Sequence, residues 1–131
     1  MTTTVRPFLM FEGKCEAAVT TYVAAVPGGA LISLERWGPD GPGPADQVRQ
    51  AVFTVGGQTL MAMDSPARHA FSFTPSVSLF IEFATEAEQD RTWAVLAEGG
   101  EVLMELMDHG FSRRFGWLND RFGVSWQMNL A

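Results

Sequence analysis

The chain has 131 residues, of which 47% are hydrophobic, so it is long enough for a folded domain and too apolar for a disordered one. Nine basic residues against fifteen acidic ones give a net charge of −6, which argues against non-specific nucleic-acid binding. Cys15 is the sole cysteine, so no intrachain disulfide can form. No secretory signal and no apolar run of the ~20 residues that span a bilayer are present, which predicts a cytoplasmic protein without membrane contact.

The first half of the chain predicts one helix and four strands. Four apolar or alternating runs predict the strands: 7–11, 31–37, 48–55 and 59–64. Apolar residues spaced by three and four predict a helix over 15–26, which Pro27 and the following glycines end. Residues 38–44 hold three prolines and three glycines and predict a loop. Gly56-Gly57 predicts a hairpin between the last two strands.

The second half repeats the same order of elements. Its predicted strands are 76–83, 101–107, 117–119 and 124–129. Its predicted helix, 86–98, stops at Gly99-Gly100, and a shift of 71 residues superimposes Gly28-Gly29 on that pair. We therefore predict a βαβββ duplication within one domain. Its parts would be module one over 5–65, a linker over 66–75 and module two over 76–131.

Three segments resemble the PhnB-like branch of the vicinal oxygen chelate superfamily, which includes glyoxalase I, bleomycin-resistance proteins and extradiol dioxygenases. They are PFLMFEGKCEAAVTTY (7–22), FSFTPSVSLFIEF (71–83) and GWLNDRFGVSWQM (116–128). The resemblance covers nearly the whole chain. It implies an α+β fold in which two tandem βαβββ modules curl mixed sheets around a cavity, usually in a homodimer.

Members of this branch often carry the description 3-demethylubiquinone methyltransferase. Methyl transfer from S-adenosylmethionine generally uses a doubly wound sheet with a glycine-rich turn after the first strand. The chain contains no G-x-G-x-x-G motif, and two βαβββ units leave no room for such a sheet. We therefore do not expect methyltransferase activity.

The resemblance also implies four positions at which metal-dependent members carry His, Gln or Glu ligands. These positions hold Pro7, Met61, Ser78 and Gln127. A catalytic divalent metal typically takes three or more imidazole, carboxylate or thiolate ligands, so we predict neither a metal nor another cofactor. If the alignment with the metal-dependent members is shifted by one or two residues, Asp64 or Glu82 becomes a candidate metal ligand.

Under this resemblance the polar face of the last strand points into the cavity, and Trp126 packs under the helix. The predicted ligand-pocket residues are Met61, Phe71, Phe73, Ser78, Trp117 and Gln127. Glu82 is the catalytic candidate, because burial in an apolar cavity would raise its pKa and make it a base. His69 and His109 lie 40 residues apart in loop-like segments without ligand spacing. Cys15 is predicted to be a small buried thiol.

The chain is therefore predicted to be a metal-free, homodimeric protein that binds a small molecule and has no nucleic-acid or membrane partner. Whether it is also an enzyme stays open. One alternative is a metal-dependent lyase, isomerase or dioxygenase that uses shifted ligands among Asp64, Glu82 and the two histidines. A second alternative is a dimeric drug-sequestering protein of the resistance type, whose acidic charge would favour cationic drugs.

Overall fold

The structure, a computed structural model, describes residues 2–131 and divides them into two compact units. The first unit ends at His69 and the second runs Ala70–Ala131, so their boundary lies inside the predicted linker. Each unit contains one helix and one four-stranded mixed sheet. Among the described residues, neither helix is long and apolar enough to cross a membrane.

The first unit is a βαβββ module. Its elements are β1 (Phe8–Phe11), α1 (Cys15–Ala25), β2 (Ala30–Arg36), β3 (Val48–Val55) and β4 (Gln58–Asp64). The strand order is β1-β4-β3-β2, with β1 parallel to β4 and the other pairs antiparallel. Alternate residues of β3 and β4 pack under α1, where Phe53, Leu60 and Ala62 are fully buried.

The second unit repeats that module. Its elements are β5 (Leu79–Glu82), α2 (Glu86–Ala97), β6 (Glu101–Met107), β7 (Arg114–Asn119) and β8 (Ser125–Leu130). The strand order is β5-β8-β7-β6, again with one parallel pair at the edge. Leu118, Trp126 and Met128 are fully buried on the face covered by α2, which confirms the predicted place of Trp126 under the helix.

The duplication and the two glycine helix stops are confirmed. Gly28 and Gly99 adopt φ angles of 76° and 71°, a region that residues with a Cβ rarely enter. The predicted start of the strand at 76–83 is wrong, because residues 75–77 form a turn in which the Val77 N–H donates to the Thr74 carbonyl at 3.3 Å. The strand predicted at 117–119 starts earlier, at Arg114, which pairs with Leu130.

Candidate functional site

The face of the second sheet opposite α2, which we term the site face, gathers most of the polar side chains of this sheet. Side chains alternate along a strand, so the neighbours of the buried Trp126 and Met128 point to this face. Strand register places the following residues there: Phe80 and Glu82 on β5, Ser125, Gln127 and Asn129 on β8, and Phe115 and Trp117 on β7. Gly116, between the last two, lies against Trp93 of α2.

Four side chains on or beside this face form one hydrogen-bonded group, the hydroxyl network: Ser78, Trp117, Ser125 and Gln127. Trp117 Nε1 donates to Ser125 Oγ at 2.8 Å, and the two serine hydroxyls lie 2.7 Å apart. Gln127 Nε2 donates to Ser78 Oγ at 3.3 Å, and the Ser78 hydroxyl donates to the Pro75 carbonyl at 3.4 Å. Either serine hydroxyl can donate in the 2.7 Å pair.

The Gln127 amide joins the network through its nitrogen, which donates to Ser78 Oγ. Among the described residues, Gln127 Oε1 has no hydrogen-bond partner, and the second N–H of the amide is also unused. The half-buried Gln127 side chain therefore offers one acceptor and one donor to a molecule on the site face.

Three of the predicted pocket residues, Ser78, Trp117 and Gln127, belong to this network, whereas Ser125 was not among the predicted residues. Ser125 is 2% exposed and links Trp117 of β7 to Ser78, which precedes β5. Its position two residues before Gln127 was a usable signal, because residues i and i+2 share a strand face.

An aromatic cluster lies next to the network and consists of Phe80, which is in register with Gln127, and of His109, Phe111 and Phe115. The Phe115 ring is central, with centroid distances of 6.3 Å to Phe80, 5.1 Å to Phe111 and 6.1 Å to His109. His109 and Phe111 stack with an interplanar angle of 16° at 6.2 Å. His109 Nε2 donates to the Glu105 carbonyl at 2.7 Å, which leaves Nδ1 as an acceptor in the neutral ring.

Glu82 does not have the apolar surroundings on which its predicted role as a base depended. Its side chain is exposed, and Asn129 Nδ2 donates to both carboxylate oxygens at 3.1 and 3.2 Å. The carboxylate is thus held in place at the sheet edge by a neutral partner. This geometry leaves a fixed negative charge beside Phe80.

Asp64, an alternative metal ligand in the sequence, is instead a buried hydrogen-bond acceptor for the backbone. Its Oδ1 accepts the N–H groups of Gly13 at 2.7 Å and Cys15 at 3.0 Å, and its Oδ2 accepts that of Val48 at 3.0 Å. The side chain is 1% exposed. It connects the start of α1 to the start of β3 and is not available to a metal.

The other predicted residues do not take part in the hydroxyl network. Met61 is half-buried on β4 of the first unit, in register with Phe8. Phe71 is 63% exposed in the segment before β5, and Phe73 packs beside Gly123. His69 lies in the first unit, where its Nε2 is 2.7 Å from Ser65 Oγ.

The residues at the four family positions do not fit a divalent metal. Pro7 has no donor atom, Met61 offers a thioether, and the Ser78 hydroxyl is already shared within the network. Gln127 alone has a free oxygen, and one neutral amide does not hold such an ion. Within residues 2–131 no group of three His, Cys, Asp or Glu side chains is placed to bind a metal.

Cys15 is buried, as the sequence predicted, with 0% of its surface exposed. Burial, with smaller effects from the Asp64 and Glu16 carboxylates, raises the pKa of the Cys15 thiol to about 12. The sulfur therefore stays protonated near neutral pH and is a poor nucleophile.

Comparison with known proteins identifies the family. The family model described as 3-demethylubiquinone-9 3-methyltransferase matches residues 3–129. The chain belongs to this family. It is 43% identical to the PhnB protein from Bacillus cereus, over 98% of this chain and 100% of that one, with a TM-score of 0.94. Protein YjdN of Escherichia coli K12 is 23% identical over 138 residues, which cover 95% of this chain and 93% of YjdN.

A more distant comparison supports the fold alone. A glyoxylase/bleomycin resistance protein/dioxygenase domain from Frankia sp. EAN1pec is 11% identical and covers 100% of this chain and 98% of its own, with a TM-score of 0.67. The predicted resemblance to PhnB-like proteins is confirmed, and the fold is that of the glyoxalase/bleomycin resistance/dioxygenase domain.

Proposed function

We propose that this PhnB-like chain is a metal-free small-molecule-binding protein whose ligand lies on the hydroxyl network of the second unit. The observation that carries the proposal is the oriented amide of Gln127, with an unused oxygen and an unused N–H on the site face. Aromatic surface next to oriented polar groups is the usual composition of a ligand site. The best complement is a mainly apolar molecule with a donor and an acceptor side by side, as in a lactam.

The hydroxyl network is suited to binding a ligand rather than to catalysing a reaction. Its members are two serines, a glutamine and a tryptophan, and Ser125 Oγ, like Ser78 Oγ, already accepts a hydrogen bond. A serine nucleophile needs an adjacent base, and neither hydroxyl is paired with an imidazole or a carboxylate. Binding without turnover is therefore the expected behaviour.

The experiment compares 2-quinolone with N-methyl-2-quinolone by titration of the isotope-labelled protein in NMR. The N–H of the lactam can donate to Gln127 Oε1, and its carbonyl can accept from the free N–H of the Gln127 amide. Methylation of the lactam nitrogen removes the donor. Each hydrogen bond contributes about 0.5–1.5 kcal/mol, so we expect 2-quinolone to bind about two- to twelvefold more tightly. Equal affinities, or no binding of either compound, would refute the proposal.

The matched variants are Gln127→Met and Gln50→Met. The first removes both polar groups of the amide at nearly constant volume and should abolish the preference for the lactam. Gln50 is exposed on β3 of the first unit, so its replacement should leave the preference unchanged. Thermal unfolding of both variants checks that the fold is intact.

Two rival activities make different predictions. A metal-dependent enzyme would retain about one equivalent of nickel, zinc, iron or manganese per chain after purification without chelator and would regain it on titration; we expect neither. The methyl transfer in the family description would require binding of S-adenosylmethionine, which calorimetry should not detect. The two four-stranded mixed sheets support this expectation, since methyl transfer from this cofactor generally uses a doubly wound sheet.

A homodimer and a cytoplasmic location are also part of the proposal. The edge strands β2 and β6 expose aliphatic side chains at corresponding positions: Leu31 at 50%, Ile32 at 61%, Val102 at 40% and Leu103 at 37%. A second copy that covered such residues would remove apolar surface from water. Light scattering at micromolar concentration should give twice the chain mass.

A single unpaired thiol supports a reducing compartment, which cell fractionation tests.

A further inference from the structure

The aromatic cluster of Phe80, His109, Phe111 and Phe115 has no role in the hydroxyl network. We infer that it is a binding platform for flat aromatic cations, meaning fused-ring heterocycles with a delocalised positive charge. The inference deepens the proposed function and rests on it, because it assumes that the site face receives a small molecule. It adds the class of ligand, which the network alone does not specify.

The first support is that the platform presents exposed rings that contact a buried one. Phe80 is 54% exposed and Phe111 is 64% exposed, whereas Phe115, which contacts both rings, is 5% exposed. The hydrogen bond from His109 to the Glu105 carbonyl fixes the imidazole that stacks on Phe111. Ring faces that are held in place lose little conformational entropy when a flat molecule stacks on them.

The second support is the charge of this unit. From Ala70 to Ala131 the chain has four arginines and nine carboxylates, so this unit carries −5 of the total charge of −6. Glu82 follows Phe80 by two residues on the same face, where Asn129 holds its carboxylate. Asp108 directly precedes His109 in the chain. A cation stacked on the platform therefore lies in a unit of net negative charge, with the Glu82 carboxylate on the same sheet face.

Three of the four arginines of this unit have partners outside the aromatic cluster. Arg114 pairs with Glu86 and Asp90 of α2, at 3.1 and 2.7 Å. Arg113 donates to the terminal Ala131 carbonyl, and Arg121 lies over the Phe122 ring at 4.5 Å from its centroid. An aromatic anion would be repelled by Glu82, and a neutral ring would use the stacking surface without the charge. The electrostatics thus select a cation.

The test uses N-methylquinolinium and its uncharged counterpart quinoline at pH about 7.5, each titrated into labelled full-length protein and followed by NMR. Cation–π attraction at exposed sites and one nearby carboxylate should together favour N-methylquinolinium about tenfold. The preference should weaken at high salt, because the carboxylate is exposed. The largest shifts should fall on the amides of residues 80, 109 and 111.

Two variants separate the contributions, and two more serve as controls. Phe111→Leu keeps an apolar side chain but removes the ring, and should lower the affinity for N-methylquinolinium about threefold to fivefold. Glu82→Gln should reduce the preference for the cation and leave quinoline unaffected. Val95→Ala and Glu98→Gln change exposed residues at α2, on the opposite side of the sheet, and should change neither affinity.

The outcomes distinguish this inference from the proposed function. N-methylquinolinium carries no N–H donor, so its binding should survive Gln127→Met, while the lactam preference should not. Lactam binding without any preference for the cation would overturn the inference and leave the proposed function standing. A platform already occupied by a second copy of the chain would also overturn it. In that case the NMR signals of the backbone amides of residues 80 and 111 would shift when the protein is diluted, and N-methylquinolinium would not bind.

Discussion

Replacement of Asp64 by asparagine tests how the first unit is held together. The carboxylate accepts three backbone N–H groups, from Gly13, Cys15 and Val48, at 2.7–3.0 Å. Asparagine can keep its oxygen toward the first two donors, but its NH₂ group then faces the N–H of Val48. Val48 is itself 0% exposed, so water cannot serve as a substitute partner.

The expected loss follows from these contacts. A hydrogen bond to a charged group contributes about 1.5–3 kcal/mol, and a buried donor left without a partner costs about 1–3 kcal/mol more. The two remaining bonds also become neutral and weaker. We therefore expect Asp64→Asn to lower the free energy of unfolding by about 3–5 kcal/mol, a large share of the roughly 5–15 kcal/mol of a typical domain.

Urea unfolding followed by circular dichroism measures the loss, and amide exchange of residues 13, 15 and 48 localises it. Asp40→Asn is the matched control, since Asp40 is exposed in the loop after β2 and its replacement should change stability by less than about 0.5 kcal/mol. A loss below about 1 kcal/mol in Asp64→Asn, or unchanged exchange at those amides, would show that the carboxylate is not the structural acceptor described.

Three further changes test other parts of the structure. Burial raises the pKa of the Cys15 thiol from 9.0 to about 12, so the folded state holds the proton more tightly than the unfolded state. The free energy of unfolding should therefore decrease as the pH rises from 9.0 toward 12, by up to about 1.4 kcal/mol per pH unit. In Cys15→Ala the urea midpoint should not show this part of the decrease with pH. Parallel pH profiles of the variant and the unsubstituted protein would contradict the prediction. Gly99→Val should cost about 1–3 kcal/mol, because φ is +71° and the new Cβ would lie 3.3 Å from Arg121 Cβ. Gly99→Asn should cost less in the same assay, and equal losses would count against the left-handed helix stop. Gly116→Ala would place a Cβ 2.5 Å from the Trp93 ring, so it should lower stability by about 1–3 kcal/mol and alter tryptophan fluorescence. Trp93→Phe should recover part of that loss in the double variant, and strictly additive losses would exclude the steric clash.

The order of elements was predictable because its signals are local. Gly28 and Gly99 mark the helix stops, and the alternation of Trp126 with Gln127 separates the two faces of β8. The errors lie where a local signal was absent or misleading. Arg114 and Gly116 have poor strand composition, yet they extend β7 because β8 offers paired partners and Trp93 fills the space above the glycine.

The site was only partly predictable because it depends on register between distant strands. Ser78 and Ser125 are 47 residues apart, and their contact exists because β5 lies parallel to β8 with Leu79 opposite Trp126. Phe111 lies in the segment before β7, and no periodicity assigns a loop residue to a sheet face. A one-residue slip of the register would have placed a different set of side chains on the site face.

The two units show which part of a βαβββ module is constrained. Residues under each helix fill a core, as Leu60 and Trp126 do, and both are fully buried. The opposite faces have diverged at corresponding positions: β4 places the thioether of Met61 beside Phe8, whereas β8 places the amide of Gln127 beside Phe80. A core residue must satisfy close packing, but a residue on the other face is free to change its chemistry. At this position only the second unit carries a hydrogen-bonding amide, which is why the ligand site is proposed for that unit.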